Sequence, residues 1–238
     1  PRIYEKIYSN LIAAINQKAI LKYGLKLPGF SYLLKKKLKT AVGFGNLTFA
    51  ISGAAPINPE ILDLFQKLDI PLFEGYGMTE NTAAATLNYT NHNKIGSVGP
   101  PIDETEIKIS ENGEVLIKGN HVMRGYYKND EATKETIIDN WLHTGDVGKI
   151  DSDGYLYITG RIKEIYVSSG GKNIAPLVIE ETMKSIPLVS QCFLIGDKRK
   201  YCSALLTLDV GAILRDKLMV ETLKIPKNPL EQIKMLEA

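Results

Sequence analysis

Residues Leu47 to Glu80 read LTFAISGAAPINPEILDLFQKLDIPLFEGYGMTE, and this stretch decides the fold class. Leu47-Thr48-Phe49-Ala50-Ile51 is a short continuous apolar run, as expected of a strand covered on both faces. It ends in Ser52-Gly53-Ala54-Ala55-Pro56, small residues that let a ligand approach the backbone closely. Asn58 is expected to cap a helix whose first residue is Pro59. Ile61, Leu62, Leu64, Phe65 and Leu68 give that helix its core face. A second buried strand follows at Ile70 to Phe73 and runs straight into Glu74-Gly75-Tyr76-Gly77-Met78-Thr79-Glu80. Strand, helix, strand with small-residue ends is a parallel α/β unit. Ligands in open α/β sheets sit beyond the carboxyl ends of the strands, so both small-residue segments can serve one pocket.

Upstream, Ile3, Ile7, Leu11, Ile15 and Ile20 fall at mostly helical spacing and predict one amphipathic helix over residues 3–22. Leu27-Pro28-Gly29 breaks the pattern, and Tyr32 to Leu38 reads as a second short helix. Downstream, from about residue 95, the texture changes to short strands and turns. Glu106 to Ile109 and Glu114 to Ile117 alternate around Asn112-Gly113, a strong hairpin signal. Glu131 to Ile138 predicts a short helix and Tyr155 to Ile158 a strand after a tight turn. Pro176 opens a helix through Ile186, Gln191 to Ile195 and Ser203 to Leu208 read as strands, and a further helix is expected near Val210 to Met219. This tail has the pattern of a small α+β domain. There are no internal repeats and no low-complexity segments.

The 238 residues suffice for one large domain or two modest ones, and 44% hydrophobic with 24% charged residues is ordinary for a globular protein. A formal net charge of +2 gives no electrostatic case for nucleic acid. The one basic run, Lys35-Lys36-Lys37 with Lys39, reads as a solvated helix face. Cys192 and Cys202 sit in apolar runs, as structural thiols of a reducing compartment do. His92, His121 and His143 show no metal-ligand spacing. No apolar stretch approaches the ~20 residues needed to span a bilayer. No signal peptide precedes the body, although the abrupt opening Pro1-Arg2-Ile3-Tyr4 suggests that the true N-terminus is missing.

Two constellations carry chemistry. In Tyr76-Gly77-Met78-Thr79-Glu80, an adjacent hydroxyl and carboxylate after a glycine-rich turn can take a phosphate oxygen and a hard cation such as Mg²⁺. Glycine lets the backbone lie flat against a purine, which a tyrosine can stack on or shield. A plain strand-to-helix turn capped by Thr79 explains the same five residues. The second constellation is Asp146 with Arg161. A carboxylate that accepts two hydroxyl hydrogen bonds holds a ribose, and an arginine can reach the same sugar or a phosphate. A surface salt bridge is the simpler alternative. The run Ser168-Ser169-Gly170-Gly171 beyond the charges Arg161, Lys163 and Glu164 has the flexibility of a joint between domains.

The order SGAAP, YGMTE, GEVLIKGNHVMRGYY, WLHTGD and GRIKEIYVSSGGKNIAPLVIE resembles that of the adenylate-forming acyl-CoA synthetases. Within them it is most similar to the long-chain fatty-acid–CoA ligases, including the bubblegum-type branch, and the opening PRIYEKIY fits the same enzymes. The resemblance implies an α/β fold: the end of a large adenylate-forming N-terminal domain, made of a parallel α/β unit plus a small β-rich subdomain. A hinge and part of a small α+β C-terminal domain would follow. Residues 1–160 would be the end of the AMP-binding domain, 161–164 the hinge, and 165–238 the start of the mobile domain, truncated. Gly53, Ala54 and Ala55 would border the adenine and the acyl pocket, and Glu74, Gly75, Tyr76 and Gly77 would line the adenine site with Met78. Thr79 would contact the α-phosphate and Glu80 would hold Mg²⁺. Asp146 would bind both ribose hydroxyls, with Ile158 and Arg161 completing the nucleotide site. Lys163 falls where the family has its hinge residue. Gly170 or Gly171 would flank the pantetheine tunnel, and Lys172 or Asn173 lies where relatives contact phosphate, with one extra residue shifting the register of that loop.

The implied substrates and cofactors are a fatty acid, ATP, Mg²⁺ and coenzyme A. The acid would become an acyl-adenylate with release of pyrophosphate, and then acyl-CoA with release of AMP. Two departures stand out. The family's Ser/Thr/Gly-rich phosphate loop, which in the family precedes this region, is absent, and the lysine that catalyses adenylation sits near the family's C-terminus, a place these residues stop short of at Ala238. The isolated 238 residues are therefore not expected to turn over. A fatty acyl-AMP ligase is the main alternative, but such enzymes carry an insertion after the hinge, whereas Arg161 to Glu180 runs nearly uninterrupted. A non-catalytic nucleotide- or acyl-binding remnant is the other, and it has no need of Lys163. The expected location is cytoplasmic, with peripheral contact at the inner membrane face in keeping with an insoluble substrate, although no amphipathic basic helix declares it.

Overall fold

In the computed structural model of the chain, the residues described are 2–25, 27, 29–167, 171–184, 186, 188–197, 199–209, 211 and 213. The apolar spacing of the first residues forms helices α1 (Arg2–Gln17), α2 (Ala19–Gly24) and α3 (Phe30–Ala41). The single helix expected over residues 3–22 is thus broken at Lys18, whose backbone is extended (φ −115°, ψ 105°). Leu11 of α1 and Leu21 of α2 are buried in the same core on either side of the break. Of the basic run on α3, Lys35 pairs with Asp69 at 3.0 Å and Lys39 donates to the Asp69 carbonyl at 2.9 Å. These two lysines tie the helix down rather than forming part of a solvated face.

Next come β1 (Ala50–Ser52), α4 (Pro59–Lys67) and β2 (Leu72–Tyr76). Strands β1 and β2 are parallel, with Ala50 opposite Leu72 and Ser52 opposite Glu74. Asn58 caps α4 by accepting the Glu60 N–H at 2.8 Å, and Pro59 occupies the first turn, where no N–H is required. Phe65 of α4 is fully buried, with the rings of Tyr4 and Phe44 edge-on to it at 6.3 and 6.2 Å. The strand expected from Ile70 starts two residues later. Ile70 still bonds back to the Phe65 carbonyl at 2.8 Å, closing the helix, and Asp69 turns the chain with φ +57°. The expectation of a first strand covered on both faces is also corrected: Phe49 and Ile51 are 58% and 45% exposed. Alternation along the strand buries Ser52 and leaves Ile51 on an open cavity wall. Strand β3 (Thr86–Leu87) pairs antiparallel with β2.

A second sheet holds β4 (Thr105–Ile109) and β5 (Glu114–Gly119), then, after helix α5 (Asp130–Thr136), β6 (Ile137–Ile138), β7 (Trp141–Ile150) and β8 (Leu156–Arg161). The β4–β5 hairpin closes through Glu111-Asn112-Gly113, with Gly113 at φ +85° and Ser110 donating to the Glu114 carbonyl at 2.9 Å. The helix expected through Ile138 ends at Thr136, because Ile137 and Ile138 pair with Leu142 and Trp141 of β7. Asp139 and Asn140, at φ +52° and +64°, form the two-residue turn that matches strand twist. Val115, Ile117, Leu142 and Leu156 make the core of this sheet.

The chain divides into two units, Pro1–Lys163 and Glu164–Ala238. In the second, β9 (Tyr166–Val167) pairs with β10 (Asn173–Ile174), and helix α6 (Pro176–Lys184) precedes the antiparallel pair β11 (Val189–Ile195) and β12 (Ser203–Leu208). Glu180 of α6 accepts the Leu194 N–H at 2.7 Å and so ties helix to strand. Helix α6 stops two residues short of the expected Ile186, whose N–H closes a turn on the Met183 carbonyl at 3.1 Å. The helix expected over Val210 to Met219 lies, apart from Gly211 and Ile213, outside the described residues. Among the described residues no helix is long and apolar enough to cross a membrane.

Replacing Phe65 with Ala removes the largest fully buried side chain of the first core and leaves a cavity between α1, α4 and β2. We expect it to lower the unfolding free energy by about 3–5 kcal/mol, read by urea denaturation followed by circular dichroism.

Candidate functional site

A cavity of about 610 Å³ opens where β1 and β2 end, with Gly53, Ala54, Gly75, Tyr76, Gly77, Met78 and Thr79 among its walls. The parallel unit brings these segments together because paired strands of equal sense release their chains at the same edge. The glycines are needed for close approach. A Cβ at Gly77 would stand 2.1 Å from the Ala83 carbonyl oxygen, and one at Gly53 would stand 3.3 Å from the carbonyl of Gly75. Ala54 takes a left-handed backbone (φ +66°) that a side chain tolerates poorly. Ala55 is exposed and stands outside the cavity wall.

After β2 the chain turns through a short 3₁₀ helix, Thr79–Asn81. Fully buried Asn81 holds this turn by accepting the Met78 N–H at 2.7 Å. Glu80 is strapped from the segment between β5 and α5: Met123 donates its N–H to the Glu80 carbonyl at 2.7 Å, and Tyr126 donates its hydroxyl to Glu80 Oε1 at 2.8 Å. Among the described residues no cluster of three or more His, Cys, Asp or Glu could hold a metal on its own. A magnesium ion at Glu80 would instead be bound as it usually is, by one carboxylate, waters and phosphate oxygens. Glu80 fits that role, since Tyr126 engages one of its oxygens and no cation pairs with it among the described residues.

Asp146 is 5% exposed at the middle of β7, opposite Arg161 at the end of β8. Tyr76, a cavity residue, donates its hydroxyl to Asp146 Oδ2 at 2.6 Å, and Arg161 Nε approaches Oδ1 at 3.0 Å. The two contacts differ in weight. The Arg161 side chain is 64% exposed, so its ion pair contributes about 0–1 kcal/mol. The bond from Tyr76 is shielded and charge-assisted, worth about 1.5–3 kcal/mol. Burial raises the Tyr76 hydroxyl above its ordinary pKa, and its bond to Asp146 adds to the rise, so it stays a donor. Each carboxylate oxygen has two acceptor positions, which leaves one on each free to take a hydroxyl of a ligand.

Other expected residues lie apart from the cavity. Ile158 pairs with Gly148 and packs into the second core. Lys163, the last residue of the first unit, is exposed in the 3₁₀ turn Ile162–Glu164. Gly171, at φ +75°, and Lys172 are exposed in the second unit, where Asn173 pairs with Val167. Gly170 lies outside the described residues. Sequence reasoning missed Tyr126 and Glu114. Glu114 accepts the Gly145 N–H on Oε1 and faces His143 Nδ1 on Oε2, both at 2.9 Å. The available signal was a glutamate heading the run Val115, Leu116 and Ile117, all buried.

Glu74, 8% exposed beside the cavity, has its carboxyl pushed up to about 7 by burial, against the opposing pull of the Ile57 and Gly96 N–H groups. Since the folded value exceeds the unfolded one, Glu74 favours folding below about 4.5 and loses that contribution as pH rises through about 7. Glu74→Gln does not titrate. Wild type should therefore lose stability relative to this variant between pH 4.5 and 8, as measured by denaturant midpoints across the range.

Residues 1–127 match the family described as "AMP-binding enzyme", and residues 163–224 match "AMP-binding enzyme C-terminal domain". The chain is 36% identical over 236 residues to the long-chain-fatty-acid–CoA ligase FadD15 of Mycobacterium bovis, covering 89% of this chain and 39% of that protein. It is 42% identical over 183 residues to the long-chain-fatty-acid–CoA ligase ACSBG2 of Xenopus laevis, covering 74% of this chain and 25% of that one. Among solved structures it resembles the O-succinylbenzoate coenzyme A synthetase of Bacillus subtilis in complex with ATP and magnesium ion. There the TM-score is 0.61 at 32% identity, covering 66% of this chain and 36% of that one. The chain thus spans well under half the length of these relatives. It belongs to the AMP-binding enzymes, the adenylate-forming acyl-CoA ligase family, with long-chain fatty-acid–CoA ligases as its homologues.

Proposed function

We propose that the protein containing these residues activates a long-chain fatty acid with ATP and transfers it to coenzyme A. The observation that carries this reading is the convergence of a cavity tyrosine and an arginine on one buried carboxylate, at the edge where β1 and β2 end. In this reading Gly53, Ala54 and Gly75 to Met78 receive the adenine, and Asp146 accepts the ribose hydroxyls with Arg161 beside it. Thr79 donates to the α-phosphate. Magnesium, held through Glu80, supplies charge neutralisation on the phosphates. The fatty carboxylate oxygen attacks the α-phosphorus, a P–O bond forms, and the bond to pyrophosphate breaks. The CoA thiol then loses its proton to solvent, its sulfur attacks the acyl carbon of the adenylate, and AMP leaves with the electrons of the broken acyl–oxygen bond.

Residues 1–160 are read as the end of the AMP-binding domain and 161–164 as a hinge centred on Lys163. Residues 165–238 are then the start of a small domain whose Gly170, Gly171 and Lys172 meet the pantetheine and its phosphate. The division of the chain between Lys163 and Glu164 supports this assignment. We place the reaction in the cytoplasm, at the membrane face where a fatty acid partitions. Exposed Phe30 and Leu33 beside the lysines of α3 are consistent with such contact.

The test is fatty-acid-dependent exchange of labelled pyrophosphate into ATP by the full-length protein, followed by thioester formation on adding CoA. Exchange is expected with long-chain acids, and Glu80→Gln should reduce it by about 10²–10³-fold. The 238 residues alone should give none. Absence of exchange in the full-length protein across carboxylates of rising chain length would overturn the assignment.

A further inference from the structure

Glu114 is a charged residue in a place that does not obviously suit one. It is 7% exposed at the start of β5 and is followed by three buried apolar residues. A buried carboxylate is costly unless its oxygens are bonded. Here both oxygens reach across to β7, one to the Gly145 N–H and one to His143 Nδ1. At that point β7 leaves the ladder. Glu114 pairs with Val147 and Leu116 with His143, so Thr144, Gly145 and Asp146 stand against Val115 alone. Gly145 takes φ +71°, and the bulge gives its N–H no strand partner. Thr144 secures the other side of the bulge, donating to the Val115 carbonyl at 2.7 Å and accepting the Asp146 N–H at 3.1 Å.

We propose that Glu114 is the positioning residue for Asp146: by clamping Gly145 and His143 it fixes the bulge that presents the Asp146 carboxylate to the ribose. The inference rests on the reading of Asp146 as the ribose acceptor. Glu114 does not reach the Asp146 carboxylate. It sets the orientation of the preceding peptide, and therefore where the Asp146 side chain leaves the strand. With the clamp gone, Gly145 is free to rotate and Asp146 can follow Tyr76 or Arg161 individually.

The experiment compares kcat/KM for ATP with that for 2′-deoxy-ATP in the full-length protein. The preference is a ratio measured on one preparation, so a fraction of misfolded protein cancels, whereas a misplaced ribose acceptor does not. Glu114→Ala should cut the preference for ATP by about tenfold or more, as expected when a hydrogen bond to a charged group is lost. The KM for CoA should not change. Glu114→Gln, which keeps an acceptor for the Gly145 N–H, should stay within about threefold of wild type. If Glu114→Ala does not accumulate as folded protein, Glu114→Asp, one methylene too short to reach Gly145, takes its place. Asp146→Asn is the reference. Loss of preference there, with full preference retained in the Glu114 variants, removes the proposal and leaves the ribose reading intact. Full preference retained in Asp146→Asn removes the ribose reading and the proposal with it.

Discussion

The hydroxyl of Tyr76 lies 2.6 Å from the carboxylate of Asp146, and much of the first unit can be understood from that contact. Tyr76 ends a strand of the parallel unit, and Asp146 sits inside the antiparallel sheet, 70 residues later. The bond therefore joins two sheets with separate cores. It is short, shielded and charge-assisted, which makes it stronger than the exposed ion pair to Arg161 on the same carboxylate. Backbone bonds reinforce the join, with Val98 donating to the Leu156 carbonyl and Leu156 to that of Gly99. At Gly99 an added Cβ would stand 2.2 Å from the Leu87 carbonyl carbon.

What surrounds this contact is a polar layer between two apolar cores. Asn88 is buried and bonds the carbonyls of Glu74 and Ser97, Thr86 bonds that of Val98, and Tyr126 and Met123 reach over to Glu80. Bonds of this kind depend on direction, whereas apolar contacts tolerate some sliding. A site made of segments from two sheets needs the first kind at the seam, where an error of an ångström moves a carboxylate off its ligand. The apolar clusters around Phe65 and Val115 supply stability on either side.

The legible parts of the fold were those set by neighbours in sequence. Asn58 and Pro59 mark the start of a helix through their own backbone chemistry, whereas of the apolar run Leu47 to Ile51 only Ala50 and Ile51 are strand, with Ser52 completing β1. The errors fell where distant partners decide. Ile137 and Ile138 read as the end of a helix, but pairing with Leu142 and Trp141 makes them a strand. Lys35 and Lys39 read as solvated, but Asp69 on another element engages both. The segments that meet in the cavity could be picked out by their small residues. The geometry at Asp146 could not, because nothing local in WLHTGD reports that Tyr76 is its donor or that Glu114 braces the preceding glycine.

The bulge in β7 has a consequence for the length of that segment. Three residues stand where one would continue the ladder, so two are extra. The ladder resumes beyond them with the same face inward, and Leu142 and Gly148 are both buried. A bulge confines surplus residues to one strand, and β8 does the same on a smaller scale, with Thr159 alone extra between the Val147–Gly160 and Gly148–Ile158 pairs. A change in length between His143 and Val147 would therefore be taken up by the bulge and leave the flanking pairs in register. The sheet would survive such a change, and the direction in which Asp146 leaves the strand would not.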